Sequence, residues 1–316
     1  MINPAQHIRY VARQNLDLEK WDRCIEGSAF AGLYALSFYL DHMAKNWDGL
    51  VLNDYEAVMP LTWKSKWGLR YLCQPPFVAH GGVFTHGRPT ETMVQSFLRE
   101  AGKLFRFGEI FLNPGSGLQG LHKSDNFVLA LGRSYLQIRA GYNKDLLRNL
   151  HHAQKFDLQY GPATELGHAV QTYRELYGKR TPHVKTQDYE RFENLCRYAD
   201  SKGMLVLRKV CDQAGELLAI AILLTHNGRI FNLMSSTLPR GRDLEANHFL
   251  FDQLIGEFAT SQLALDFEGS SLAGVANFYR KFGAQSETVF FWRHNELPLL
   301  LKRFKKPSLS PNQASS

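Results

Sequence analysis

Apolar and polar positions are patterned most clearly between Met204 and Ser236. Met204–Cys211 is rich in strand-forming residues, Asp212-Gln213-Ala214-Gly215 makes a turn, and Leu217–Thr225 is a nearly unbroken apolar run. His226-Asn227-Gly228-Arg229 then supplies the Asn-Gly pair of a type I′ hairpin, and Ile230–Ser236 closes a three-stranded antiparallel meander. After Pro239-Arg240-Gly241-Arg242, Leu250, Leu254 and Phe258 recur every four residues, which predicts a helix from about Leu244 to Thr260. Gln262–Phe267 reads as a strand, Gly274–Lys281 as a short helix and Thr288–Trp292 as a final strand.

The first half repeats this order more faintly. Trp47–Leu52, Tyr55–Trp63 and Leu69–Cys73 are runs separated by Asn53-Asp54 and Lys66-Trp67-Gly68, then Thr90–Phe105 reads as a helix and Glu109–Leu112 as a strand. Meander, helix and strand therefore occur twice without the residues aligning as a repeat. The expected fold class is α/β with mixed sheets, in two domains of like architecture. Between them Asn143–Lys155 and Thr164–Tyr177 look helical, broken by Gly161-Pro162 and Arg180-Thr181-Pro182. The expected domains are 1–145 and 146–306, with 307–316 (PSLSPNQASS) a disordered tail.

Composition narrows the class. At 316 residues and 44% hydrophobic, the chain can bury one large core or two ordinary ones, which excludes a disordered or fibrous protein. The formal charge of +7 favours anionic partners: phosphate-bearing cofactors, nucleic acid or an acidic membrane surface. The longest uncharged apolar stretch, Gly27–Leu40, is too short for a bilayer span, so no stable membrane insertion is expected. The N-terminus has no basic region followed by an apolar one, and a cytoplasmic location is expected. Cys24, Cys73, Cys196 and Cys211 are scattered and should be free thiols. His151 and His152 are adjacent, with no metal-ligand spacing around them, so no metal is expected.

Two segments carry candidate chemistry. Arg240-Gly241-Arg242 precedes a helix, where unpaired N–H groups and the helix dipole favour an anion, and two guanidiniums can clamp phosphate. The plainer reading is an ordinary solvated loop. Asp266-Phe267-Glu268-Gly269-Ser270-Ser271 ends a predicted strand, where sheet proteins place ligands, and is followed by Phe278-Tyr279-Arg280-Lys281-Phe282-Gly283-Ala284. Here the plainer reading is a Ser270 or Ser271 helix cap with Asp266 bonding loop amides. A third stretch, Trp63-Lys64-Ser65-Lys66-Trp67-Gly68-Leu69-Arg70-Tyr71, interleaves aromatic and basic residues as a single-strand nucleic-acid platform does, or makes a hairpin with solvated lysines.

The meander, the helix behind a basic glycine segment, the strand and the run Phe278–Ala284 resemble the core of the GNAT N-acyltransferase superfamily. Leu265-Asp266-Phe267-Glu268-Gly269-Ser270 and the doubled architecture are more specifically similar to its FemAB-like branch, in which two GNAT folds stand side by side. Tyr71-Leu72-Cys73-Gln74-Pro75-Pro76-Phe77 resembles a segment of small bacterial FemAB-like proteins. The resemblance implies transfer of an acyl group from acyl-CoA, or from an aminoacyl-tRNA, to an amine on a small molecule or peptide. Its implied roles are Glu268 as base, Asp266 orienting the acceptor, Tyr279 as the acid for the leaving group, and Leu233 to Ser235 as backbone oxyanion donors. Arg240, Gly241 and Arg242 would hold the donor phosphate, although Asp243 stands where the family loop has glycine and repels phosphate. A non-catalytic nucleic-acid-binding protein, tRNA included among its partners, is the reading from a different class.

Overall fold

A computed structural model describes residues 7–30, 32–114, 118, 120–269 and 273–298, and the expected tail at 307–316 lies outside them. The chain divides into two compact units. The first comprises the described residues through Asp125 and those from Thr288 onward; the second is Asn126–Glu287.

In chain order the first unit contains β1 (Ile8–Ala12), α1 (Leu18–Glu26), α2 (Ser37–Met43), β2 (Trp47–Leu52), β3 (Ala57–Lys66), β4 (Leu69–Cys73), β5 (Phe84–Thr85), α3 (Glu91–Leu104) and β6 (Phe107–Leu112). β1 through β4 pair antiparallel in sequence order, and β6 pairs parallel with β4, Leu72 facing Gly108. A strand parallel to its predecessor needs a crossover, and α3 supplies it. Thr90 caps that helix by accepting from the Met93 N–H, and Val94, Phe97, Leu98 and Ala101 form its buried stripe.

The second unit continues with β7 (His122–Ala130), α4 (Tyr135–Arg139), α5 (Lys144–Ala153), β8 (Gln159–Pro162), α6 (Leu166–Tyr177), α7 (Thr186–Ser201), β9 (Leu205–Cys211), β10 (Leu217–His226) and β11 (Arg229–Thr237). After these come α8 (Pro239–Asp243), α9 (Ala246–Phe258), β12 (Ala264–Gly269), α10 (Ala273–Lys281) and β13 (Gln285–Asn295), which belongs to the first unit from Thr288 on, as β7 does up to Asp125. Asn227 and Gly228 both have positive φ, 44° and 75°, as a type I′ turn requires between β10 and β11. β12 lies parallel to β11 and antiparallel to the part of β7 that follows Asp125. Meander, helix and parallel strand are thus built in both units.

The divide falls at 125/126 and 287/288, where the sequence alone suggested one cut near 145. Packing accounts for the difference. Ile138, Tyr142, Leu146 and Leu150 belong to the same buried cluster as Leu223, Leu250 and Phe267, so the segment before 145 is core to the second unit. The four cysteines are free thiols. Among the described residues no helix is long and apolar enough to cross a membrane, and no group of three His, Cys, Asp or Glu side chains is placed to hold a metal ion.

Candidate active site

The second unit's sheet opens at one place. The parallel ladder of β11 and β12 runs only from Arg229–Ala264 to Phe231–Asp266. β12 then continues against β7 as far as Gly269, while β11 continues along β10 to Thr237. Beyond Phe231 the two strands part, and the β12-side edge of 232–237 has no strand partner among the described residues. The β10–β11 register also shifts: Ile222 faces Met234 and Leu223 faces Asn232, so Leu233 is the extra residue of a bulge. Bulges turn a strand away from its neighbours and recur beside active sites. Leu233 and Ser235, both half-buried, lie on this diverging segment.

Across the opening, β12 carries a second bulge, with Asp266 facing Val128 and Glu268 facing Phe127. Glu268 has φ 66°, a left-handed conformation uncommon outside glycine and asparagine. The Asp266 carboxylate holds it there, accepting from the Glu268 N–H at 2.9 Å. The same buried carboxylate accepts from Asn126 Nδ2 at 3.0 Å and from Arg229 Nη1 at 2.9 Å. Arg229 is itself gripped through both nitrogens by Glu287 at 2.9 Å. Burial pushes the Asp266 carboxyl up and the Arg229 guanidinium beside it pulls it back.

Glu268 Oε1 is enclosed and has no hydrogen-bond partner among the described residues. Burial pushes this carboxyl up to about 8. A buried acceptor without a donor costs free energy, and a native structure that retains one calls for an explanation. A carboxyl whose pKa burial moves near neutrality, beside an opening of a sheet, is a candidate for proton transfer.

Tyr279, on α10, completes the group. Its ring stacks on Phe267 at 4.8 Å, and the Asn232 side chain is among the groups that act on its hydroxyl. Burial, then the nearby Glu268 charge and Tyr173, raise its pKa well above the ordinary phenol range, so the hydroxyl keeps its proton. Tyr173 on α6 is pushed up to about 12 by burial. The structure therefore brings Asp266, Glu268 and Tyr279 together with Asn232, Arg229, Asn126 and Tyr173, which the sequence reading did not single out. Asn232 had a signal, a polar residue inside the apolar run Ile230–Met234.

The basic segment behaves differently. Arg240-Gly241-Arg242 lies in the helical turn α8, started by Pro239 at its first position, and not in a loop. Arg240 is engaged by the carboxylates of Asp212 and Glu216. A Cβ on Gly241 would stand 2.1 Å from the Leu218 carbonyl oxygen, so its missing side chain serves the close approach of α8 to β10. Arg242 is exposed. Gly241→Ala is accordingly expected to cost about 3 kcal/mol through backbone displacement. Thermal unfolding checks this; a variant that keeps its Tm and changes only donor affinity would return Gly241 to the phosphate role.

Residues 140–278 match the family model described as an acetyltransferase (GNAT) domain. Among solved structures the chain resembles FemX with a TM-score of 0.64 and 11% identity, covering 94% of this chain and 99% of that one. It also resembles a conserved protein of unknown function from Bacteroides thetaiotaomicron (TM-score 0.55, 10% identity, 90% and 100% covered). L-PGS from Bacillus licheniformis is similar too (TM-score 0.50, 12% identity, 91% and 95% covered). At these identities the likenesses speak for the fold. No curated protein matches the sequence.

The matched domain and the fold define the class: the protein is an N-acyltransferase. The GNAT-type domain spans residues 140–278, and over most of the chain the fold is similar to that of FemX.

Proposed function

We propose that the protein transfers an acyl group from a coenzyme A thioester to a primary amine at the opening between β11 and β12. The observation that carries this reading is the Glu268 carboxyl, its Oε1 enclosed and unpartnered and its pKa pushed by burial to about 8. An amine reaches the site as an ammonium ion, with an ordinary pKa of roughly 10. Glu268 takes that proton, and the amine nitrogen attacks the thioester carbon. Backbone N–H groups of Leu233 to Ser235, on the diverging strand, receive the developing oxyanion. As the C–S bond breaks, Tyr279 gives its proton to sulfur and takes back the proton shed by the new amide nitrogen. Glu268 releases its own proton to water. Asp266 supports this chemistry from behind by fixing the Glu268 backbone. Arg242 is the basic side chain of α8 left to meet the donor phosphates.

A second donor, aminoacyl-tRNA, is supported by the engagement of Arg240 and Gly241 within the protein, because a helical turn so tied is a poor pyrophosphate cradle. Calorimetry with acetyl-CoA and filter retention of aminoacyl-tRNA separate the two. Heat with acetyl-CoA and no retained tRNA is the expected result; the opposite pair of results assigns the donor to tRNA. The acceptor is an amine on a small molecule or peptide.

The site also sets the pH dependence. A base works only when ionised, so kcat/KM for a fixed amine should climb with pH and level off above about pH 8, where Glu268 has lost its proton. A profile that is flat from pH 6 to 9 removes Glu268 from the proton path.

A further inference from the structure

Far along the chain from the acyl-transfer residues, the β3–β4 hairpin ends in Trp67, which is 81% exposed. Trp67 has φ 52° and Gly68 φ 76°, the two left-handed positions of a type I′ turn. Asn, Asp or Gly occupies the first of these without strain, whereas a bulky aromatic there meets both a backbone cost and the cost of an exposed ring. Around it the surface is apolar and basic together. Leu69, which follows the turn, is 41% exposed, and Arg70 beside it is exposed as well. The Lys66 ammonium stands over the Trp67 ring at 4.7 Å, and Lys64 projects from the same strand.

We propose that this hairpin is a peripheral docking element for an anionic lipid surface, with Trp67 and Leu69 entering the headgroup boundary and Lys64, Lys66 and Arg70 meeting lipid phosphates. Tryptophan sits at that depth because its ring is apolar and its N–H is wet, and cations beside it gain from a negative surface potential. A nucleic-acid platform fits less well. Such platforms stack successive bases on several rings. Here Trp63 is committed, its Nε1–H to Asp48 at 2.6 Å and its face to the Arg70 guanidinium at 5.2 Å, and Tyr71 is half-buried with its ring edge-on to Phe107 at 6.4 Å, which leaves Trp67 as the one exposed ring of the stretch.

Co-sedimentation of the full chain with vesicles tests this. Vesicles of phosphatidylcholine with about a quarter phosphatidylglycerol should carry the protein down, and pure phosphatidylcholine should not. Lys64→Gln with Lys66→Gln should weaken the partition about thirtyfold, since each cation near such a surface contributes about fivefold. Trp67→Asn should weaken it at least tenfold. Asn suits the left-handed turn, so this variant should melt at the wild-type temperature or above it, which excludes misfolding as the cause. Equal sedimentation of wild type and Trp67→Asn overturns the proposal, as does equal binding to neutral vesicles. Retention of a single-stranded RNA oligonucleotide that Trp67→Asn abolishes, without sedimentation on vesicles, overturns it in favour of base stacking.

Discussion

Glu268→Gln is expected to lower kcat/KM by roughly 10²- to 10⁴-fold and to make the protein more stable at pH 8. Both effects have one origin. One oxygen of the carboxyl, Oε1, is enclosed without a donor, and burial holds the carboxyl's pKa near 8 in place of the ordinary 4.5. The folded state therefore binds this proton more tightly than the unfolded chain does. Stability from the protonated form is full below about pH 4.5 and is lost as pH rises through about 8. Glutamine carries no titrating proton and keeps the shape, so the variant should gain a few kcal/mol over wild type above pH 8 and lose that advantage in acid. Thermal unfolding across pH 4 to 9, beside the activity assay, reads both. A variant that loses activity without gaining stability would mean that Glu268 finds a donor in the folded protein.

Arg229→Met should be the most damaging single change to the fold near the site. Arg229 bridges Asp266 and Glu287, and its side chain is largely covered, 18% exposed. Removing one partner of a buried pair leaves the other charge uncompensated, typically at 3 to 5 kcal/mol. In a unit of this size that corresponds to a Tm lowered by roughly 10 °C. Asp266, with 3% of its side chain exposed, would take up a proton in the variant, and its hold on the Glu268 N–H would weaken. Arg229→Lys should rescue little, because a single ammonium cannot reproduce the forked grip on Glu287 together with the bond to Asp266. Adding Asp266→Asn to Arg229→Met should recover part of the loss, since both buried charges are then gone. A double variant as unstable as the sum of the singles would show that the pair contributes through packing alone.

The two meanders were legible because alternation, turn residues and run lengths agreed: Trp47–Leu52 and Leu69–Cys73 stand where the pattern put them. The helix α9 followed from Leu250 and Leu254, both buried. β7 was not legible. Its first half, His122–Asp125, is polar and only Phe127–Leu129 carries apolar burial, so the pattern never shows a whole strand. α8 was misread as a loop because glycine between two arginines signals flexibility, and nothing local reveals that Gly241 is small to clear Leu218. Glu268 and Tyr279 were named from motif position. Their partners Asn232 and Arg229 depend on which strands diverge and where, and a bulge is a property of paired strands that one strand's sequence does not display.

The acyl donor is expected along the diverging edge of β11, facing Glu268 and Tyr279. A crystal structure with a non-hydrolysable acyl-CoA analogue tests it most directly. The analogue's carbonyl oxygen is expected about 2.7 to 3.1 Å from a backbone N–H between Leu233 and Ser235, with the Tyr279 hydroxyl beside the atom that replaces sulfur. An analogue bound away from that edge, its carbonyl out of reach of Leu233 to Ser235, would contradict it.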